Sequence, residues 1–98
     1  MSTAHLRSDT TADALIRLYD SKARAIYEVS DGFVGSLLLF DDSNSTTRSI
    51  TLWADKKAMD GVTSHPDYAL TMGELASHFA AAPDSETWRV GASFFKSD

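Results

Sequence analysis

Three histidines, two tryptophans and the complete lack of cysteine bound the chemistry this sequence can carry. His65 and His78 fall in the second half of the chain, and an imidazole titrates close enough to neutrality to take a proton from a weak acid. His65 directly precedes Pro66, so it serves equally well as part of a helix entry. His78 stands near the end of a helical stripe, where a cationic ring meets the last carbonyls favourably. His5 lies in a polar segment, and histidines so scattered lack the i, i+4 pairing of helical metal sites, so no metal is expected. Ser36 and Ser49 have no acid–histidine partner at recognisable spacing, which leaves a serine nucleophile unsupported. The absence of cysteine removes disulfides, thiolate metal sites and cysteine nucleophiles together. Trp53 ends an apolar run and reads either as the wall of a pocket or as a packing residue that closes the end of a sheet.

These residues need elements to position them. Thr10, followed three residues on by Asp13, predicts a helix start, and Leu15, Leu18, Tyr19, Ile26 and Val29 continue as one apolar stripe. Asp31-Gly32 ends it, because glycine takes the left-handed conformation that closing turns use. Phe33 to Asp41 reads as a strand with two mostly apolar faces, Phe33, Gly35, Leu37 and Leu39 on one and Val34, Ser36, Leu38 and Phe40 on the other. Two apolar faces call for a second layer beyond the domain's own helices, and in so short a chain a second protomer is the expected source. Asp41 to Ser45 is a polar turn, and Arg48 to Trp53 returns as the other arm of a hairpin. Asp55 is positioned to cap a short helix limited by Gly61, and Ser64-His65-Pro66-Asp67 opens another. Tyr68, Met72, Leu75 and Phe79 then recur at four-, three- and four-residue steps as a buried stripe. Glu86 to Phe95 is expected to be the last strand, with Trp88, Val90, Ala92 and Phe94 on one face. With a short first strand near Ala4 to Ser8, the order predicts an α+β, ferredoxin-like split β-α-β domain with a four-stranded antiparallel sheet.

The whole chain of 98 residues, 43% hydrophobic, fits one domain spanning 1-98, with a short or poorly formed strand within 1-9. The net charge of −5 comes from 14 acidic and 9 basic side chains without a block of either sign, which disfavours nucleic-acid binding. Met1 to Thr11 is too polar for a secretory signal, and no window approaches the ~20 apolar residues of a membrane span, so a cytoplasmic protein without a membrane partner is expected.

Asp31-Gly32-Phe33-Val34-Gly35, Ile50-Thr51-Leu52-Trp53 and Ser64-His65-Pro66-Asp67-Tyr68, taken in order, resemble the landmarks of the antibiotic-biosynthesis monooxygenase family. These are a "PGF-G" turn into the second strand, a tryptophan ending the third, and an "SP-Y/F" entry to the last helix. The resemblance runs from about Thr11 to Phe95, with Asp31 where the family usually has proline. It implies a dimeric α/β barrel, a homodimer joined through its sheets, with a pocket between helices and sheet in each protomer. Similar proteins oxygenate polycyclic phenols without a cofactor, degrade haem, or have no established activity. In the haem-degrading branch a tryptophan and an axial histidine would fall at Val62 and Met72, so neither is retained. In quinone-forming members an asparagine stands four residues before the tryptophan, with an arginine downstream; here Ser49 replaces the asparagine, and Arg89 lies downstream. The resemblance implies cofactor-independent oxygenation of a small aromatic or polyketide-type molecule with Trp53 on the pocket wall, and His65 is the imidazole expected as its base. Trp53, Tyr68, Met72, Phe79 and Ser49 form the expected substrate wall. The alternative is a non-catalytic dimeric module that holds a small apolar ligand.

Overall fold

The computed structural model describes residues 1–96. Helix α1 (Ala12–Leu18) begins where Thr11 Oγ1 accepts the Ala14 N–H at 3.1 Å, satisfying one of the free amides of the first turn. A π turn over Tyr19–Ala23 leads into α2 (Arg24–Glu28), and Ser30 and the left-handed Gly32 (φ 77°) turn the chain into the sheet. A Cβ at Gly32 would overlap the Ala58 Cβ, so this backbone approaches the next helix more closely than any side chain allows.

Strands β1 (Ser2–His5), β2 (Phe33–Phe40), β3 (Thr46–Trp53) and β4 (Asp84–Ser85) form one antiparallel sheet in the order β2-β3-β1-β4. This is the ferredoxin-like order expected from the sequence, with the first strand in an interior position at Ser2–His5. The hairpin turn is held by Asp41, whose Oδ1 accepts the Ser45 N–H at 2.9 Å and the Thr46 N–H at 3.1 Å. Helix α3 (Lys56–Gly61) is capped by Asp55 at 2.8 Å from the Ala58 N–H, and a 3₁₀ turn (Val62–Ser64) joins it towards α4 (Tyr68–Ala76). The buried core is built by Leu15, Ala23, Ile26, Tyr27, Val62 and Leu75, with the half-buried Tyr68, Met72 and Phe79 packed against it as the helical spacing predicts.

Two expectations are corrected. Simple alternation placed Phe33 with Leu37 and Leu39, but a bulge leaves Val34 unpaired between Phe33↔Trp53 and Gly35↔Leu52. Phe33 thereby joins Leu38 and Phe40 against the core, stacking on Tyr27 at 5.4 Å and meeting Trp53 edge-on at 5.3 Å. Leu37 and Leu39 are left on the outer face of the sheet, exposed. The second correction concerns the strand expected over Glu86–Phe95. Only Asp84–Ser85 enters the sheet, and the ladder's last bond runs from the Glu86 N–H to the Met1 carbonyl at 2.7 Å. Residues 87–96 continue beyond it, exposed and with no strand beside them among the described residues. An alternating pattern makes a strand only where a neighbour supplies the hydrogen bonds.

Candidate functional site

A cavity of about 400 Å³ lies between the sheet and the helices. Its floor is the inner face of β3, where Thr47, Ser49 and Thr51 follow one another at the two-residue spacing of a strand. Tyr19 and Tyr27 reach it from the first helical segment, and Tyr68, Met72, Leu75 and Phe79 wall it from α4 and the turn beyond. Met59 of α3 contributes a further apolar side, and Pro83, Ser85, Glu86 and Thr87 form the rim.

The π turn explains how both tyrosines face inward. In an ideal α-helix residues eight apart stand about 80° out of phase. The i→i+5 bonding of this turn, from the Arg24 N–H to the Tyr19 carbonyl, slows the winding, so Tyr19 and Tyr27 share the cavity side with ring centroids 6.4 Å apart. The Tyr19 hydroxyl is hydrogen-bonded to Ser36 Oγ on β2. Thr47 donates to the Leu39 carbonyl at 2.8 Å, and Thr51 Oγ1 accepts the Trp53 indole N–H at 3.0 Å, which leaves the Thr51 hydroxyl proton available. The hydroxyls of Ser49, Tyr27 and Tyr68 have no hydrogen-bond partner among the described residues, and none of them is a sealed, unsatisfied group. Their free capacity is open to water or to a molecule in the cavity.

Burial pushes the Tyr27 phenol well above its ordinary range, and the neighbouring phenols of Tyr19 and Tyr68 add to the shift. Burial also raises Tyr19, against the opposing effect of its bond to Ser36. Both are neutral hydrogen-bonding groups at physiological pH. Apart from the terminal ammonium of Met1, which donates to the Glu86 carbonyl at 2.5 Å, Glu86 is the one charged residue on the lining, and it stands at the rim.

Of the residues singled out from the sequence, Ser49, Tyr68, Met72 and Phe79 line this cavity together. Trp53 stands behind the lining: it meets Tyr27 edge-on at 5.9 Å and holds Thr51 by its indole N–H. His65 is elsewhere, in an open cleft with Gly32, Asp55 and Ala58, and its Nδ1 accepts the Asp67 N–H at 3.1 Å at the entry to α4. His78 bonds Thr10 Oγ1 at 2.6 Å, tying the end of α4 to the segment before α1. Sequence reasoning passed over Tyr27, Thr51 and Thr47 as site residues. The alternation of Thr47, Ser49 and Thr51 on one strand face was the available signal, whereas the inward turn of Tyr27 depends on the π turn. Among the described residues no cluster of side chains could hold a metal ion, and no helix is long and apolar enough to cross a membrane.

No family model and no curated protein matches this sequence. Solved structures do. A monooxygenase from the gene ActVA-Orf6 of Streptomyces coelicolor, in complex with nanaomycin D, is 14% identical and superimposes with a TM-score of 0.81 over 98% of this chain and 88% of its own. The chain has the antibiotic-biosynthesis-monooxygenase fold. A second structure with this fold is a mutant of SnoaB, a cofactor-independent oxygenase from Streptomyces nogalater, at 16% identity, TM-score 0.74 and 91% and 89% coverage of this chain and of its own. A protein of unknown function from Nitrosomonas europaea also has it, at 14% identity, TM-score 0.75 and 99% and 91% coverage. The antibiotic-biosynthesis-monooxygenase fold thus spans this chain almost end to end, at an identity that speaks for the architecture alone.

Proposed function

We propose that this protein is a homodimeric, cofactor-independent monooxygenase that oxidises a small, flat, oxygen-bearing aromatic molecule of polyketide type. The observation that carries this reading is the cavity, whose interior offers free hydroxyls on three elements and no charged side chain. Such a lining suits a neutral ring system with several carbonyl or phenol oxygens and disfavours phosphates and carboxylates. The solved monooxygenases with this fold, one of them holding nanaomycin D, point the same way.

The chemistry follows from the donors. A phenol or its keto tautomer loses a proton, and the hydroxyls of Tyr27, Tyr68, Ser49 and Thr51 stabilise the resulting oxyanion. The electron-rich ring carbon then bonds to dioxygen to give a peroxide anion, which takes up a proton to become a hydroperoxide; breaking its O–O bond with loss of the hydrogen on the same carbon releases water and leaves a quinone carbonyl. One dioxygen is consumed, one oxygen atom enters the product and the other leaves as water. His65 lies outside the cavity, so the proton leaves by way of the rim, where Glu86 and solvent can accept it.

The test is oxygen uptake with an anthrone as probe and no added cofactor. The expected result is one quinone formed per dioxygen consumed, with kcat lowered roughly tenfold or more in Tyr27→Phe as an oxyanion donor is lost. A second reading, a dimeric holder of a small apolar ligand, is favoured by the lack of an internal base, since the buried tyrosines are held neutral. Quenching of Trp53 fluorescence by the probe in a Trp88→Phe variant, without oxygen uptake, would select that reading; no quenching and no uptake would remove both.

The homodimer is proposed through the outer face of the sheet. Leu37 is 52% and Leu39 42% exposed there, an apolar surface that a soluble domain of this size usually covers.

A further inference from the structure

We propose that Ser36 and the Tyr19 hydroxyl form a relay that brings a proton into the cavity from a second cleft, at the β2 edge of the sheet. This rests on the oxygenase reading above and adds to it the group that protonates the peroxide.

Two spaces share one wall. The second cleft, of about 260 Å³, is lined by Asp20, Arg24, Glu28 and Ser36 together with Tyr19 and Tyr27. Those two tyrosines also line the main cavity, so their rings divide one space from the other. Ser36 belongs to the lining of the cleft and not to that of the cavity, and its Oγ is hydrogen-bonded to the Tyr19 hydroxyl. A pair of hydroxyls therefore crosses the wall. Ser36 also stands directly opposite Thr51 of β3, where facing side chains hold their Cβ atoms about 5 Å apart. Thr51 lines the cavity, and its hydroxyl proton is free because its oxygen accepts the Trp53 indole N–H at 3.0 Å. Ser36 thus has cavity-lining hydroxyl groups on two sides and the cleft on a third.

The reaction has a use for this path. The substrate's proton leaves at the rim beside β4, and the peroxide anion formed afterwards needs one back. Ser36 lies on β2, three strand spacings and so about 14 Å from β4. Release and delivery are thereby kept at opposite edges of the sheet. Among the described residues neither Tyr19 nor Ser36 has another side-chain hydrogen-bond partner, so each hydroxyl can donate to one neighbour while accepting from the other. Burial raises the Tyr19 phenol, which keeps its proton in place at neutral pH. At the outer end Asp20 and Glu28 share the single guanidinium of Arg24, at 3.1 and 2.5 Å, leaving one acidic charge in excess. That excess favours hydronium over hydroxide at the mouth of the cleft.

In the step itself the Tyr19 O–H bond breaks as the new O–H bond forms on the peroxide. Tyr19 takes the Ser36 proton, and Ser36 takes one from water in the cleft. Neither hydroxyl ends charged, and one proton enters at the cleft for each one released at the rim.

Oxygen uptake with the anthrone probe tests this in Ser36→Ala, Tyr19→Phe and the double variant. Ser36→Ala should lower kcat about tenfold or more, as a proton-transfer group is lost, and leave KM within about twofold, because Ser36 is not on the cavity lining. Ser36→Thr keeps the hydroxyl at a strand position and should restore most of the rate. The double variant should be no slower than the slower single one, since both substitutions interrupt one path. A proton inventory in mixed light and heavy water should be curved for the unsubstituted protein, because more than one proton moves in the step. Unchanged kcat in Ser36→Ala, a loss that Ser36→Thr does not restore, or a linear inventory would overturn the relay and leave the oxygenase standing. No oxygen uptake by the unsubstituted protein would overturn both.

Discussion

Replacing Gly32 by alanine should cost about 2–5 kcal/mol, through two separable effects. The left-handed φ of 77° costs a non-glycine residue roughly 1–2 kcal/mol. The added Cβ would overlap that of Ala58, and relieving such overpacking costs roughly 1–3 kcal/mol. The contact to Ala54 at 3.7 Å is ordinary and adds nothing. Since the Ala54 N–H bonds the Gly32 carbonyl at 2.7 Å, the chain cannot swing away without breaking the link that seats α3 on the sheet. Urea denaturation measures the total, and a double-mutant cycle separates the parts. In an Ala58→Gly background the steric part disappears, so Gly32→Ala should then cost only about 1–2 kcal/mol. Because α3 also carries Met59 into the cavity, the single substitution should weaken probe binding as well. A cost below about 1 kcal/mol, or the same cost in both backgrounds, would refute the close approach as the reason for glycine here.

Tyr19 and Tyr27 have phenols raised above the ordinary value of 10.0, so folding favours their neutral forms; the stability they contribute is complete below pH 10 and is lost as the pH rises through their folded values. Phenolate absorbance should show Tyr19 and Tyr27 resisting ionisation until alkaline unfolding begins, and their ionisation near pH 10 in the folded protein would contradict this. The Asp41 carboxylate is held below its usual 3.8, first by the Thr46 N–H, and the turn it stabilises is fully supported above that value and weakens as the pH falls through the lower folded one. Exchange of the Ser45 and Thr46 amides should accelerate in acid, and Asp41→Asn should abolish that dependence. Ser49→Val should leave stability within about 1 kcal/mol, because its hydroxyl has no protein partner, while lowering probe affinity. Unchanged affinity in a folded Ser49→Val would take Ser49 out of the site.

The fold was legible in the sequence because local rules carried it. The side chain of Asp55 identifies one helix start, the Thr10–Asp13 spacing puts another one residue before its actual cap at Thr11, Gly32 marks a left-handed turn, and the spacing of Tyr68, Met72, Leu75 and Phe79 yields the stripe that packs on the core. The same spacing put Tyr68, Met72 and Phe79 on one wall, and alternation put Ser49 on one strand face. Only the tertiary structure decided which face. The bulge at Val34 reverses the side on which Phe33 lies, and the π turn at Tyr19–Ala23 swings Tyr27 into the cavity; each depends on contacts between residues distant in sequence. His65 illustrates the limit from the other direction. Its residue type fits a base, but it sits before a proline at a helix entry and its ring caps a backbone amide outside the cavity. The last strand shows the same division of labour. Alternation from Trp88 to Phe94 states a capacity for pairing, and whether that capacity is used depends on a neighbour that the pattern itself does not contain.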